Sequence, residues 1–137
     1  MWVLETKRIK RFIYDGADIG FGDAKMGKRY ILNGFSPNMI GQMDICTVVF
    51  YRAKWDDVAN AIKKGAISAI GHDSTAKIIS TVVGHDVPAN RVNVSLNKGD
   101  TGYIITLPFR PVEGKVYTAD EIKAAGVRIT GFTVVRT

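Results

Sequence analysis

Apolar residues recur along this chain in two rhythms, and the change from one to the other predicts its elements. Lys28-Arg29-Tyr30-Ile31-Leu32 is short and rich in β-forming residues, which predicts a strand. Ile45-Cys46-Thr47-Val48-Val49-Phe50-Tyr51 predicts a second, because β-branched and aromatic side chains fit a pleated surface. The rhythm then shifts. Trp55, Val58, Ala59 and Ile62 follow the spacing of one helical face. Asp56 and Asp57 stand early, Lys63 and Lys64 late, and Gly65 closes, so the charges suit the helix dipole. Trp55 reads as a core residue of that helix. A short apolar link leads into Ser68-Ala69-Ile70-Gly71-His72-Asp73-Ser74-Thr75. Beyond it, Ala76, Ile79, Val82 and Val83 give a second helical face, which Gly84 ends.

The period then returns to two. Arg91 to Leu96 alternates, with Val92, Val94 and Leu96 on one side, and predicts a half-buried strand. Asn97-Lys98-Gly99-Asp100 predicts a hairpin turn into a strand from Thr101 to Leu107. A loop follows over 108–115. Thr118-Ala119-Asp120-Glu121 is a capping box that opens a short helix through Ala125, stopped by Gly126, and Val127 to Val135 is the last strand. Asn33-Gly34 allows either a hairpin or a polar strand end, where Asn33, Ser36 and Asn38 would gather. The order β-β-α-α-β-β-α-β predicts an α/β protein: a small mixed β-sheet flanked by helices. Residues 28–137 form that domain.

Residues 1–27 break the pattern and read as an N-terminal extension. Lys7 to Tyr14 mixes basic and aromatic residues, which suits an edge strand with lysines in water or a nucleic-acid contact. Gly20-Phe21-Gly22 has no strand–loop–helix unit around it and is not read as a nucleotide loop.

Composition narrows the function classes. The 137 residues are 46% hydrophobic and 23% charged, as in a soluble domain with a real core. Lys and Arg outnumber Asp and Glu by 19 to 13, a net charge of +6, which favours an anionic partner or serves solubility. Cys46 is the only cysteine and there are two histidines, so no internal disulfide and no zinc set is expected. No membrane span, signal peptide or repeat is read from the pattern. Asn93-Val94-Ser95 matches a glycosylation sequon, idle without secretion.

His72 carries the candidate chemistry. It falls at or before a helix start, beside backbone N–H groups without intrahelical partners. Such an end takes phosphate, and an imidazole there can bind an anion or exchange a proton. A lone histidine near a helix start is more often a capping or half-buried residue. His85, just past the helix, reads as structural or solvated.

Several stretches in order resemble one family. They are Ile31 to Met39, Ile67 to Thr75, Asn90-Arg91-Val92, Arg110 to Lys115, and Thr118 to Glu121. The set is similar to the viral ring nucleases, the type III anti-CRISPR proteins of archaeal viruses, phages and prophages. The resemblance implies a homodimeric α/β domain that binds cyclic tetra-adenylate across its interface and cuts it without metal or other cofactor. It would thereby silence type III CRISPR signalling in the host cell cytoplasm, without membrane or long nucleic acid as partner. It implies catalytic roles for His72, Arg110 and Glu113, and substrate contacts from Asn33, Ser36, Asn38, Gly71 and Arg91. Thr106 departs from the family, which often has glutamine there, and Pro108 and Pro111 flank the arginine of the loop.

The chemistry can be stated on its own terms. Metal-free RNA cleavage uses the ribose 2′-hydroxyl as nucleophile, positive charge on the phosphate and a proton for the leaving 5′-oxygen. His72 suits the proton, Arg91 and Arg110 the phosphate, and Glu113 the hydroxyl. The products would end in a 2′,3′-cyclic phosphate. Two other readings compete: a sponge that binds a cyclic oligoadenylate uncut, and a nucleic-acid-binding protein of a mobile element using Lys7 to Arg11.

Overall fold

The computed structural model describes residues 27–41 and 45–136. The strands are β1 (Arg29–Leu32), β2 (Thr47–Arg52), β3 (Ile67–Ala69), β4 (Thr101–Thr106) and β5 (Arg128–Arg136). The helices are α1 (Trp55–Lys63), α2 (Asp73–Val83) and α3 (Ala119–Ala124), with a 3-10 turn at Pro37–Ile40. The strands form one sheet in the order β2-β5-β4-β1-β3. β1 is parallel to both β3 and β4, while β5 is antiparallel to β4 and β2. The mixed α/β sheet expected from the sequence is therefore present.

The helices pack on one face of the sheet. Val58 and Ala61 of α1 and Ala76 and Ile79 of α2 meet Ile31, Ile105 and Ile129 there, all buried. α2 lies between α1 and α3. Among the described residues, no α-helix contributes to the core on the other face. Tyr30, Leu32, Ile104, Phe132 and Val134 are covered instead by loop residues such as Phe35, Met39 and Val94, with Leu96 buried among them.

Three local expectations are corrected. The segment 91–96 is not a strand: only Leu96 is buried, and Val92 is 48% exposed. Both edges of β4 are already taken, by β1 and β5, so no hairpin partner could pair through the 97–100 turn. The apolar link before His72 is β3, which lies parallel to β1. Asn33-Gly34 opens no hairpin, because β1 is an interior strand between parallel neighbours. The N-terminal piece proposed for strands and nucleic-acid contact lies outside the described residues.

The turn at 97–100 has another purpose. The Asp100 side chain, 3% exposed, accepts N–H bonds from Lys28 at 2.9 Å and Asn97 at 2.8 Å. Two charge-assisted bonds of this kind compensate a buried carboxylate. They clamp the start of β1 to the start of β4. Gly27 lies so close to this carboxylate that a Cβ would collide with Asp100.

Candidate active site

The candidate site lies beyond the carboxyl ends of the parallel strands β1 and β4, where ligands collect in open α/β sheets. A cavity of about 610 Å³ opens there. Three pieces of chain wall it.

The first is the start of α2. His72 is the N-cap residue, with extended backbone (φ −127°, ψ 133°), and its carbonyl accepts the Ala76 N–H at 3.0 Å. Its imidazole makes no capping bond and is exposed, so the ring is available to a ligand. Ser74 and Thr75, in the first turn, line the cavity beside it. Asp73 at the first helical position suits the positive end of the dipole. The helix ends where the sequence predicts: Gly84 is left-handed (φ 75°), and its N–H reaches the Ser80 carbonyl at 2.9 Å.

A zip of hydrogen bonds along β3 holds this wall. Ser68 Oγ donates to the Pro88 carbonyl at 2.6 Å, and Asn90 Nδ2 donates to the Ser68 carbonyl at 2.7 Å. The Asn90 N–H reaches the Ile70 carbonyl, also at 2.7 Å. Arg91 continues the zip by donating from Nε to the Gly71 carbonyl at 3.0 Å. Arg91 therefore lies against the residue before His72, although its guanidinium is outside the cavity lining. The alternation over 91–96 conceals this, because the paired stretch is 88–91 instead.

The second wall is Asn33, exposed at the end of β1 and lining the cavity. Its loop is fixed by Phe35, which packs edge-on between Phe50 at 5.3 Å and Phe132 at 5.4 Å. Ser36 and Asn38 do not reach the cavity. Ser36 caps the 3-10 turn by accepting the Asn38 N–H at 3.2 Å, and Asn38 is exposed within that turn.

The third wall runs from Ile105 to Pro111 and carries Arg110. Glu113 is not part of it. It occupies an exposed turn closed by a Lys115 N–H bond to the Val112 carbonyl at 3.1 Å, with Gly114 at φ 85°. The structure thus brings Asn33, His72 and Arg110 to one cavity, leaves Gly71 and Arg91 beside it, and leaves Ser36, Asn38 and Glu113 outside it. Sequence reasoning missed Leu107 and Phe109 as lining residues and noted Thr106 only as a departure from the family. Their place at or just past the end of β4 was the available signal.

Among the described residues the lining contains two basic side chains, His72 and Arg110, and no carboxylate. Hydroxyls and an amide come from Ser74, Thr75, Thr106 and Asn33. This set suits an anion whose other groups are hydrogen-bonding and partly apolar. Among the described residues no group of three or more His, Cys, Asp or Glu could hold a metal ion. Nor is any described helix long and apolar enough to cross a membrane.

A family model described as STIV B116-like matches residues 29–130. The uncharacterized protein ORF116 of Acidianus filamentous virus 1 is 34% identical over 99 residues, 68% of this chain and 80% of that protein. Uncharacterized protein 26 of a Sulfolobus islandicus filamentous virus is 40% identical over 70 residues, 50% of this chain and 59% of that protein. Among solved structures, B116 of Sulfolobus turreted icosahedral virus is similar with a TM-score of 0.71 and 31% identity. That likeness covers 78% of this chain and 99% of B116.

Proposed function

The chain belongs to the STIV B116-like family, with relatives in archaeal viruses, and we propose that it is a metal-independent ring nuclease acting on cyclic tetra-adenylate. The observation that carries this reading is the convergence of His72, Arg110 and Asn33 on one cavity with no carboxylate among its described lining residues. Cleavage would proceed by attack of a ribose 2′-oxygen on the adjacent phosphorus, with rupture of the bond to the 5′-oxygen. Arg110 would hold the phosphate as its charge builds, since a guanidinium stays charged and offers a fork of donors. His72, protonated, would give its proton to the leaving 5′-oxygen. Asn33 would orient the 2′-hydroxyl, whose proton passes to solvent water, because Glu113 stands outside the cavity. Each cut leaves a 2′,3′-cyclic phosphate and a free 5′-hydroxyl.

A cavity of 610 Å³ is of the usual size for a compact ligand, which is part of a four-nucleotide ring rather than all of it. That mismatch supports a homodimer, in which a second copy across a two-fold axis would present the same groups to the opposite half of the ring. The setting is the host cell cytoplasm, where removing the messenger would switch off type III CRISPR signalling.

The test is incubation of the full chain with cyclic tetra-adenylate in EDTA. Linear fragments ending in 2′,3′-cyclic phosphate are expected, with the rate falling by roughly 10²–10⁴-fold in His72→Ala. An intact ring after a long single-turnover reaction rejects the reading, as does full activity in that variant. The displaced Glu113 favours one second reading, a protein that binds the ring uncut. Calorimetry showing tight binding with no product selects it.

A further inference from the structure

Phe109 has no role in the reaction just described, yet it lines the cavity next to Arg110. It is half-buried, and its surroundings account for only part of its surface. Tyr117 lies against it, with ring centroids 5.4 Å apart and planes tilted by 36°. The Tyr117 ring carries the Lys115 ammonium 4.6 Å from its centroid. The Tyr117 hydroxyl accepts the Val112 N–H at 3.0 Å. One tyrosine thus contacts the residue before Arg110 and a residue shortly after it, and closes the loop on itself. Pro108 and Pro111 restrict the backbone on either side. Tyr117 covers one part of the Phe109 ring, and Phe109 stands among the residues that line the cavity.

We infer that Phe109, braced by Tyr117, is a stacking wall for a nucleobase, and that the cavity takes a nucleoside phosphate with its phosphate on Arg110. The inference rests on the nucleotide reading above and adds the base to it. Isolated aromatic rings gain from stacking any base, and a ring already immobilised loses little entropy on binding. Ile105, Leu107 and Pro108 make that wall of the cavity largely apolar, with Thr106 its one hydroxyl, while His72, Ser74 and Thr75 lie on the other. A flat apolar group joined to an anion matches this division. A plain phosphate or an aliphatic anion would leave the aromatic side unused.

The test compares adenosine 5′-monophosphate with ribose 5-phosphate by calorimetry and by chemical shifts on the full chain. The nucleotide should bind tighter by roughly 5- to 150-fold, the range of one base–aromatic stack. In Phe109→Leu that ratio should fall towards one while ribose 5-phosphate binds as before, which also shows that the variant is folded. Phe109→Trp should restore it, and Tyr117→Leu should lose part of it. An unchanged ratio in Phe109→Leu overturns the inference, and so does equal weakening of both ligands. If neither ligand binds the wild type, the nucleotide reading falls and the inference with it. If both bind as predicted but the cyclic ring stays uncut, the wall stands and only the nuclease reading fails.

Discussion

The two sides of the cavity are built differently. The His72 side rests on strand β3 and the backbone zip from Ser68 to Arg91, with buried apolar residues of α2 behind it. The Arg110 side is a loop, held by two prolines, the Tyr117 bonds and the cap of α3. The contrast separates stability from ligand contact. Where a site residue is the terminus of a packed element, its support is shared with the fold. Where it lies on a stapled loop, its support can be removed while the fold persists.

The largest expected effect lies on the zip. Ser68 is 9% exposed, its hydroxyl donates to Pro88, and its oxygen accepts the Ile70 N–H at 3.4 Å. Ser68→Ala takes the partner from the Pro88 carbonyl and from the buried Ile70 N–H and should cost about 1–3 kcal/mol in denaturant unfolding. It should also loosen Arg91. A variant as stable as wild type would show that this side is no more integrated than the loop. Thr118→Ala comes next. It removes the acceptor of the Glu121 N–H at 3.1 Å and should cost about 1 kcal/mol. If the loop depends on that cap, ribose phosphate binding weakens as well; if Tyr117 alone suffices, only stability changes.

The smallest effect is electrostatic. The Thr118 N–H donates to the Glu121 carboxylate at 2.9 Å and, more than the nearby Lys115, holds its carboxyl below the usual value. A group depressed in the folded state stabilises above its unfolded pKa, and that contribution is lost as pH falls through the folded one. Glu121→Gln should therefore flatten the acid limb of a stability–pH curve slightly. An unaltered acid limb would mean that the cap is frayed in solution.

Seven of the eight elements read from the hydrophobic pattern are present, and the discrepancies have physical causes. α1 and α2 were legible because Val58, Ala76 and Ile79 recur at helical spacing and glycines mark the ends. β3 was not, since three residues cannot establish a period. The alternation at 91–96 was real in sequence, but β4, the strand its turn leads into, is already paired on both sides. At the site, His72 was placed by the Gly71-His72 turn and its helix, and Asn33 by the end of β1. Phe109 escaped because no periodicity within the loop shows that Tyr117 packs against it. Glu113 was expected beside Arg110, but the turn at Gly114 carries it away.

The Asp100 clamp fixes the point where residues 1–26 join the domain, at the beginning of β1, whereas Asn33 and the cavity stand at that strand's far end. A fluorophore attached to the exposed Lys28, at the start of β1, would thus stand at the pole remote from the chemistry. That end of the strand is the side from which the domain can be labelled with its cavity left open.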